Sequence, residues 1–389
     1  MYLALINSRK VAYLMVMLLI LASGSPFFKA YGTYFSIIMA FVLLVDLMRF
    51  PQLRYSCKEM WEYVLLMLMI FFCQYVIFGW NTIPGIVNFI SKILFGSFII
   101  ITLGEQFKFY YLRVLYHLSL IGLFLFLLQT ILGVTFSLFD FGAGKSIVIY
   151  YVHHRDVWRN CGPFWEPGAY GCYLLFVLLF FINNLPLLYK RYRKECIVLF
   201  IALLTTQSTT AYLSFAALIF LYLAFQMRSW MKYVYIVLAI AVSAYVYSGV
   251  GFLEEKIKSQ NELAVSANGQ FNSTRMGTFL FDMYYFEKHP IIGNGLHSRT
   301  RYADHQYLVK LWSGGELAKG GNAFSDYLAK MGIAFYAVYF YFFYKTNQGV
   351  KRRNLLSFLV VFIMLLFGEP LFSYPIALSL PFIKLKRCI

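Results

Sequence analysis

The sequence contains little charge, and acidic residues are the scarcest of the charged ones. Asp, Glu, Lys and Arg make up only 13% of the 389 residues, with 17 acidic against 34 basic side chains. Soluble domains carry about 25% charged residues, so this composition excludes an ordinary soluble enzyme. Hydrophobic residues make up 61% and aromatic residues 20% of the chain. This is typical of an all-α polytopic membrane protein without a second, soluble domain.

Cysteines and cofactor-binding patterns are also few. The chain has six cysteines, and only Cys161 falls in a segment expected outside the membrane, so the sequence provides neither a disulfide framework nor a metal-ligand spacing. Two glycines precede Lys145, but their spacing is not that of a phosphate-binding loop, and Asp140 lies beside them. We therefore predict no metal, no cofactor and no nucleic-acid partner.

Apolar runs recur along the chain, and each is a candidate membrane span because about 20 apolar residues cross about 30 Å of hydrocarbon. The first run follows Arg9 and Lys10 like a secretory signal, but Ser25-Pro26 is a poor cleavage site, so we interpret it as a span. We count twelve runs, near residues 11–23, 31–46, 60–79, 84–103, 111–133, 167–184, 195–206, 209–226, 231–249, 322–344, 354–368 and 371–383.

Basic residues divide between the two sides of this predicted membrane protein. If both termini are cytoplasmic, short inner segments carry 20 of the 34 Lys and Arg residues, as the positive-inside rule requires. Most of the others lie in two long outer loops, and loops beyond about 12 to 15 residues are usually functional. The predicted organisation is a transmembrane scaffold at 1–133, a first outer loop at 134–166, spans six to nine at 167–249, a large second outer loop at 250–321, and spans ten to twelve at 322–389.

A polar stretch at 159–168, Arg-Asn-Cys-Gly-Pro-Phe-Trp-Glu-Pro-Gly, directly precedes the sixth span. Pro167 fits the first turn of that helix, where a missing N–H costs nothing. Arg159 and Glu166 would then lie at the mouth of the span, beside the free N–H donors and partial positive charge of the helix end. The alternative is a simple helix start with Trp165 as an aromatic anchor.

Five hydroxyl residues occur within 205–210, Thr-Thr-Gln-Ser-Thr-Thr, between the seventh and eighth spans. The seventh run is short, because 12 residues rise only about 18 Å. Its outer end should therefore stop below the membrane surface, where a turn survives only if it is buried in protein or lines a wet cavity. We predict either the floor of a polar cavity or a tight hairpin with hydroxyls bonded back to their own helix.

Ionisable residues also fall inside predicted spans. Lys92 lies midway along the fourth run, where a charge is costly and indicates either a functional site or an internal pair with Glu369 or Asp326. Asp326 and Lys330 have the i, i+4 spacing of an ion pair on the tenth span.

The second outer loop combines an amphipathic pattern with a charged cluster. Asn272 or Ser273 can cap a helix that has Arg275 in its first turn and ends at His289-Pro290. Its apolar positions follow the 3.6-residue period of a helix lying on a membrane surface: Met276, Phe279, Leu280, Met283 and Phe286. Five titratable residues follow within nine positions: His297, Arg299, Arg301, Asp304 and His305. Arginines beside an apolar helix suit an anionic lipid headgroup.

Four motifs, in this order, resemble those of the Wzy-type O-antigen polymerases, within the superfamily of O-antigen polymerases and ligases. They are Arg-x2-Gly-Pro-Phe-x-Glu-Pro-Gly at 159–168, the hydroxyl turn at 205–210, Arg275 ahead of His-Pro-Ile-Ile-Gly-Asn-Gly at 289–295, and Asn-Ala-Phe-Ser-Asp at 322–326. The resemblance covers about 150–335. It implies a GT-C-like fold of about 12 transmembrane helices, with short amphipathic helices in the outer loops, in the bacterial inner membrane with its active site facing the periplasm.

The resemblance also implies an activity and its substrates. The enzyme would be a glycosyltransferase that moves a glycan chain from undecaprenyl diphosphate onto the next lipid-linked repeat unit, without a nucleotide sugar. A flippase and a chain-length regulator would be further partners besides the bilayer. The departing diphosphate needs fixed cations in a site shielded from water. Arginine suits this need because its planar fork binds phosphate oxygens in pairs.

Individual residues can be matched to the motifs of the family. The predicted substrate-binding residues, four of them a clamp on the diphosphate, are Arg159, Arg275, Arg299, Arg301 and Asn322. The acceptor hydroxyl also needs a general base within hydrogen-bond reach. Many relatives have His-Asn before the tenth span, but this chain has Gly321-Asn322, which leaves the base open. His305 beside Asp304 is the first candidate and Glu166 the second.

Two other functions use related features. An O-antigen ligase would transfer finished polysaccharide to lipid A core, and the missing His before Asn322 argues against it. A lipid-linked glycan flippase or polysaccharide transporter would not be an enzyme. Transporters commonly have repeated halves with discontinuous helices in matching positions, and we find no such repeat in this sequence.

Overall fold

The computed structural model describes residues 9–26, 34, 36–42, 45, 57–79, 83–132, 139–140, 146–147, 159–226, 274–296, 302, 305–312 and 322–386. These residues are almost entirely helical. One two-residue antiparallel pair, β1 (Phe139–Asp140) and β2 (Ser146–Ile147), has Phe139 opposite Ile147. The helices are α1 (Arg9–Ala22), α2 (Lys58–Phe78), α3 (Ile83–Leu103), α4 (Phe107–Leu132), α5 (Pro167–Phe180), α6 (Leu185–Arg191), α7 (Arg193–Thr205), α8 (Thr209–Gln226), α9 (Arg275–Lys288), α10 (Gln306–Trp312), α11 (Ala323–Thr346), α12 (Arg352–Gly368) and α13 (Pro375–Ser379).

Two helical stretches in the described ranges are long and apolar enough to cross a membrane. They are α2 and the 50-residue stretch Ile83–Leu132, and the pair α5 and α6, bent by 103°, would make a third. A 3-10 turn at Gly104–Gln106 divides the 50-residue stretch into α3 and α4, and Gly104 there has φ +52°. The fold is therefore all-helical with membrane-length apolar helices, whereas the count of twelve spans and the GT-C-like arrangement stay predictions.

The core of the bundle is built around α5. Thirteen of its residues are buried, and α4, α7, α8 and α12 pack around it. Tyr111 of α4 donates its hydroxyl to the backbone oxygen of Tyr173 at 2.9 Å. By contrast, one face of α2 exposes large apolar side chains, including Met69 and Phe72. A long exposed apolar face on a helix is typical of contact with lipid.

Helix ends that the sequence predicts on one side of the membrane contact each other. On the predicted outer side, Trp165 N–H donates to Gly24 O at 3.1 Å. On the predicted inner side, Arg353 Nη1 donates to Phe225 O at 2.7 Å. Which side of a membrane each of these ends faces stays a prediction.

The predicted twelfth span, near 371–383, is not one continuous helix. Its residues form a 3-10 turn at Leu371–Ser373, the five-residue α13, and a second 3-10 turn at Leu380–Phe382. Pro375 and Pro381 cause the interruptions, because proline lacks the N–H that continues a helix. The segment still runs between the two ends of the bundle, since Leu385 N–H donates to Asn347 Oδ1 at 2.8 Å, next to the end of α11.

A break in α11 accommodates the motif at 289–295. Gly332 has φ +66° and ψ −168°, which interrupts the helix. Backbone groups on either side of the break bond to the motif: Asn294 N–H to Ala329 O at 2.8 Å, Gly295 N–H to Lys330 O at 2.9 Å, and Ile333 N–H to Pro290 O at 2.9 Å. A Cβ on Gly293 would lie 2.4 Å from the carbonyl carbon of Lys330. The glycines of this motif therefore allow two backbones to approach.

The amphipathic helix of the second outer loop is present as α9, with two corrections. Its N-cap is Thr274, whose side chain accepts from Gly277 N–H, and not Asn272 or Ser273. The predicted apolar face is only partly buried, and the face that packs on α11 is a different one: Gly277, Thr278, Phe281, Asp282 and Tyr285. Polar contacts explain this orientation, because the carboxylate of Asp282 lies 2.5 Å from Ser325 Oγ of α11.

Candidate functional site

A small polar cavity lies where the predicted outer ends of α5, α8, α9 and α12 meet. Its volume is about 80 Å³. Two arginines, two glutamates and three hydroxyl residues line it, together with the first turn of α5: Arg159, Glu166, Pro167, Gly168, Ser208, Thr209, Thr210, Arg275 and Glu369. The structure thus brings together three predicted site residues (Arg159, Glu166 and Arg275), part of the hydroxyl turn, and Glu369, which the sequence analysis did not assign to the site.

The stretch at 159–166 is held against the hydroxyl turn between α7 and α8. Asn160 N–H donates to Thr205 O at 2.9 Å, and Asn160 Nδ2 donates to Thr205 Oγ1 at 2.9 Å. Arg159 Nε donates to Thr206 O at 3.2 Å. Asn160 is fully buried, so its amide contacts are well shielded from water. These bonds fix the backbone that carries Arg159 at the cavity.

Both alternatives for the hydroxyl turn apply, each to different residues. Thr205 and Thr206 donate back to their own helix, to Ala202 O at 2.9 Å and Leu203 O at 2.7 Å. The next hydroxyl residues line the polar cavity: Ser208, Thr209 and Thr210. The back-bonded pair ends α7, and the following three residues supply the polar floor.

Arg275 reaches the cavity from the first position of α9. Its Nη1 donates to Thr210 Oγ1 at 2.7 Å, and its Nη2 lies 3.6 Å from Glu369 Oε1. The Arg275 side chain is 48% exposed, whereas that of Glu369 is 1% exposed. A cation at a helix N-terminus opposes the helix dipole, so its partners across the cavity must stabilise it there.

Glu369 is the buried carboxyl group of the site. It follows the last residue of α12, outside the helix, and its N–H donates to Leu365 O at 3.1 Å. Burial raises the pKa of Glu369 well above its ordinary value, and the neighbouring Glu166 carboxyl raises it further, while Arg275 and Arg159 oppose the rise. Within the described part of the chain, no hydrogen-bond donor reaches either oxygen of its carboxylate.

Proline positions both glutamates of the cavity. Glu166 precedes Pro167 and Glu369 precedes Pro370. A residue before proline is driven into extended backbone, and both glutamates are extended, with φ −159° and ψ 160° at Glu166 and φ −143° and ψ 150° at Glu369. Pro167 starts α5 as predicted, with Glu166 as its N-cap. The repeated Glu-Pro pair is the sequence signal that could have assigned Glu369 to the site.

Glycines allow the helices to approach closely around the cavity. A Cβ on Gly168 would lie 1.9 Å from Glu369 Oε1, and a Cβ on Gly368 would lie 2.1 Å from Thr210 Cγ2. Neither position has a positive φ, so the requirement is for space and not for backbone freedom. Alanine at either position would push a cavity residue away.

An apolar groove of about 540 Å³ adjoins the polar cavity. Arg275 and Thr210 line both spaces. The remaining lining of the groove comes from α8, α9, α12 and the residue before α11: Leu213, Ser214, Met276, Phe279, Asn322, Met364, Phe367 and Gly368. A charged headgroup in the cavity could therefore continue into an apolar tail in the groove.

The other predicted site residues lie elsewhere or outside the described residues. His305 precedes α10, and its Nδ1 lies 2.9 Å from Tyr285 Oη. Tyr285 is ten residues from Arg275 on α9, or about 15 Å along the helix. His305 is not among the residues that line the cavity. Three further predictions, Arg299, Arg301 and Asp304, lie outside the described residues.

Asn322 has a structural role at the start of α11. It is the N-cap of α11, and its Oδ1 accepts from Ser325 N–H at 2.7 Å. Its position at the groove leaves its predicted substrate contact as a proposal.

The predicted ion pair between Asp326 and Lys330 is confirmed. Lys330 Nζ bonds to Asp326 Oδ2 one turn earlier on α11. No ion pair joins Lys92 to Glu369 among the described residues.

No protein-family model matches this chain, and none of the curated proteins matches it.

Proposed function

We propose that this chain is a membrane glycosyltransferase, an O-antigen or capsular polysaccharide polymerase. It moves a glycan chain from a polyprenyl diphosphate onto the next lipid-linked repeat unit. The observation that carries the proposal is the meeting of Arg159 and Arg275 in one polar cavity. The sequence separates these arginines by more than a hundred residues and assigns them to different outer loops. The resemblance names both as the diphosphate clamp.

The two guanidinium groups match the charge that the reaction develops. The glycosidic oxygen leaves as part of a lipid diphosphate, so negative charge grows on its phosphate oxygens. Arginine presents paired N–H donors to such oxygens and keeps its charge at any physiological pH. Fixed donors in a site shielded from water contribute about 10²- to 10³-fold each to such reactions. Arg159 is anchored through Thr206, and Arg275 through Thr210.

The adjoining groove supports a lipid carrier. A polyprenyl chain is apolar throughout, and each CH₂ group that leaves water contributes about 0.8 kcal/mol. Met276 and Phe279 line the groove directly after Arg275 on α9. A diphosphate held by Arg275 therefore places the first isoprene units beside these side chains.

The same geometry favours one residue among the predicted acids and bases of the transfer. Of the predicted acid and base residues, Glu166 lines the cavity with both arginines. His305 is bonded to Tyr285, farther along α9. Glu166 is therefore the base that this proposal favours, with His305 and Asp304 as the alternative pair.

Carrier-linked glycan in a deletion strain tests the proposal. A polymerase deletion accumulates single repeat units on the lipid carrier at the periplasmic face. Finished polymer on the carrier would instead indicate a ligase, and repeat units retained at the cytoplasmic face would indicate a flippase, and either result overturns the proposal.

Complementation of that strain tests the clamp. Arg159→Ala and Arg275→Ala should each abolish polymer, with each variant still inserted in the membrane. Lys288→Ala removes a cation from the other end of α9 and is the matched control, which should restore polymer. Full polymer yield from both arginine variants would contradict the clamp.

A further inference from the structure

Glu369 is the buried charged group that no part of the sequence analysis assigned to the site. Its side chain is 1% exposed and lines the cavity together with Glu166. Its ion-pair neighbour is the half-exposed Arg275, whose Nη2 lies 3.6 Å from Glu369 Oε1. Buried ionisable groups in such positions are commonly functional.

The surroundings of Glu369 favour a proton on it. Two carboxyl groups that share one buried site do not both ionise readily. Both carboxyls line the same cavity of about 80 Å³, and the Glu166 side chain is one of the groups that raise the pKa of Glu369. Two carboxylates offer only acceptors, so a hydrogen bond between them requires one shared proton. Glu166 is the more exposed of the two, so the buried Glu369 is the member that holds it.

The charges facing Glu369 come from every element around the cavity. Titratable or charged neighbours are Glu166, Arg159, Arg275, Cys172 and Tyr374. With both glutamates ionised, the charges of the two arginines are cancelled. With one shared proton, one positive charge remains, and the cavity can still attract a diphosphate.

We propose that Glu369 is a protonated positioning residue that donates a hydrogen bond to Glu166 and thereby orients Glu166 as the base of the transfer. This rests on the proposed function. The pair holds one proton in the resting state, with the charge on Glu166.

The step balances as follows. The acceptor hydroxyl oxygen forms a bond to the anomeric carbon of the donor chain, and its proton passes to the Glu166 carboxylate. The bond from the anomeric carbon to the diphosphate oxygen breaks, and its electron pair leaves on the diphosphate, which Arg159 and Arg275 hold. When the product moves away, Glu166 returns its proton to water through the cavity mouth, and Glu369 keeps its own.

Infrared spectroscopy tests the protonation without depending on any activity. The purified chain in lipid nanodiscs, labelled with ¹³C-glutamate, should show the C=O stretch of a protonated carboxyl at neutral pH. That band should disappear in Glu369→Gln and persist in Glu287→Gln, which alters an exposed glutamate on α9. Absence of the band in the unmodified protein, or its persistence in Glu369→Gln, would overturn the proposal.

Turnover of a polyprenyl-diphosphate oligosaccharide tests the positioning role. Glu369→Gln keeps a hydrogen-bond donor without a charge and should retain kcat within about threefold. Glu369→Ala loses the donor and should lower kcat about tenfold at unchanged donor KM. Glu166→Gln removes the base and should lower kcat by about 10²- to 10⁴-fold.

The two proposals fail in different ways. An unmodified protein that neither binds nor extends the lipid-linked oligosaccharide contradicts the glycosyltransferase. An active protein in which Glu369→Gln is as impaired as Glu166→Gln contradicts only the positioning role, because Glu369 would then act through its charge. Thermal unfolding of each variant identifies any that fail to fold, and the infrared band of the unmodified protein at varied pH then decides the protonation.

Discussion

Alanine at Gly168 should displace the buried carboxyl of Glu369 while leaving the bundle folded. The added Cβ would lie 1.9 Å from Glu369 Oε1 and 2.9 Å from its Cδ, whereas ordinary contacts begin near 3.4 Å. Glu369 Oε1 must therefore move by the difference between 3.4 and 1.9 Å, which is roughly the length of one bond. A displacement of about 1 Å at a reacting group can cost about 10²-fold in rate.

The effect on stability should be smaller than the effect on rate. Overpacking a well-packed site costs about 1–3 kcal/mol. Alanine in place of glycine in a helix returns about 0.5–1 kcal/mol. We therefore expect Gly168→Ala to lose at most about 2.5 kcal/mol in unfolding free energy and about 100-fold in transfer rate, both measured on the same purified protein.

A shorter acid should compensate for the added methyl group. Glu369→Asp withdraws the carboxyl by one CH₂, so the double variant with Gly168→Ala should unfold with a favourable coupling within the usual 0.5–3 kcal/mol for residues in contact. Gly171→Ala is the control, because its Cβ would meet Ala211 Cβ at 2.4 Å and not Glu369. Purely additive effects of the pair, or an unchanged rate in Gly168→Ala, would refute the reasoning.

Three further results are expected. Arg159→Lys should lower the transfer rate without loss of folded protein, because lysine cannot bind phosphate oxygens as a planar pair; an unchanged rate would mean that charge alone suffices. Gly332→Ala should reduce the amount of folded protein in the membrane, because it strains a positive φ at about 1–3 kcal/mol and brings a Cβ within 2.2 Å of Ile291 O; normal accumulation contradicts this. The stability of the protein relative to Glu369→Gln should be greatest below the ordinary Glu pKa of about 4.3 and should decline as pH rises towards the raised folded pKa; denaturant unfolding across pH measures it, and the opposite slope contradicts a raised pKa.

Local features of the fold could be predicted because they depend on neighbouring residues. Pro167 starts α5, the turn after Thr205 separates α7 from α8, and Lys330 pairs with Asp326 one turn away. Each follows from backbone chemistry or helical spacing within a few residues. The meeting of Arg159 with Arg275 depended on the resemblance, because hydropathy alone does not bring two loops together.

The features that the sequence analysis missed depend on contacts between residues distant in sequence, or on a helix that buries its polar face. Glu369 meets Gly168 and Arg275 only after α5, α9 and α12 have packed. The buried face of α9 is the one that carries Asp282, because Asp282 contacts the hydroxyl of Ser325 on α11. A search for apolar stripes selects the opposite face, since it assumes that apolar residues point inward. The twelfth predicted span is not a continuous helix because Pro375 interrupts an otherwise apolar run.

The attachment of α9 through the broken helix α11 has a mechanical consequence. Backbone hydrogen bonds join the segment after α9 to both sides of the break at Gly332, so that end of α9 is fixed. Arg275 is at the opposite end of this helix, which is 14 residues or about 21 Å long. A tilt of α9 by about 5° around its fixed end would move Arg275 by about 2 Å. Small rotations of α9 would thus change the distance between the Arg275 guanidinium and the other residues of the cavity.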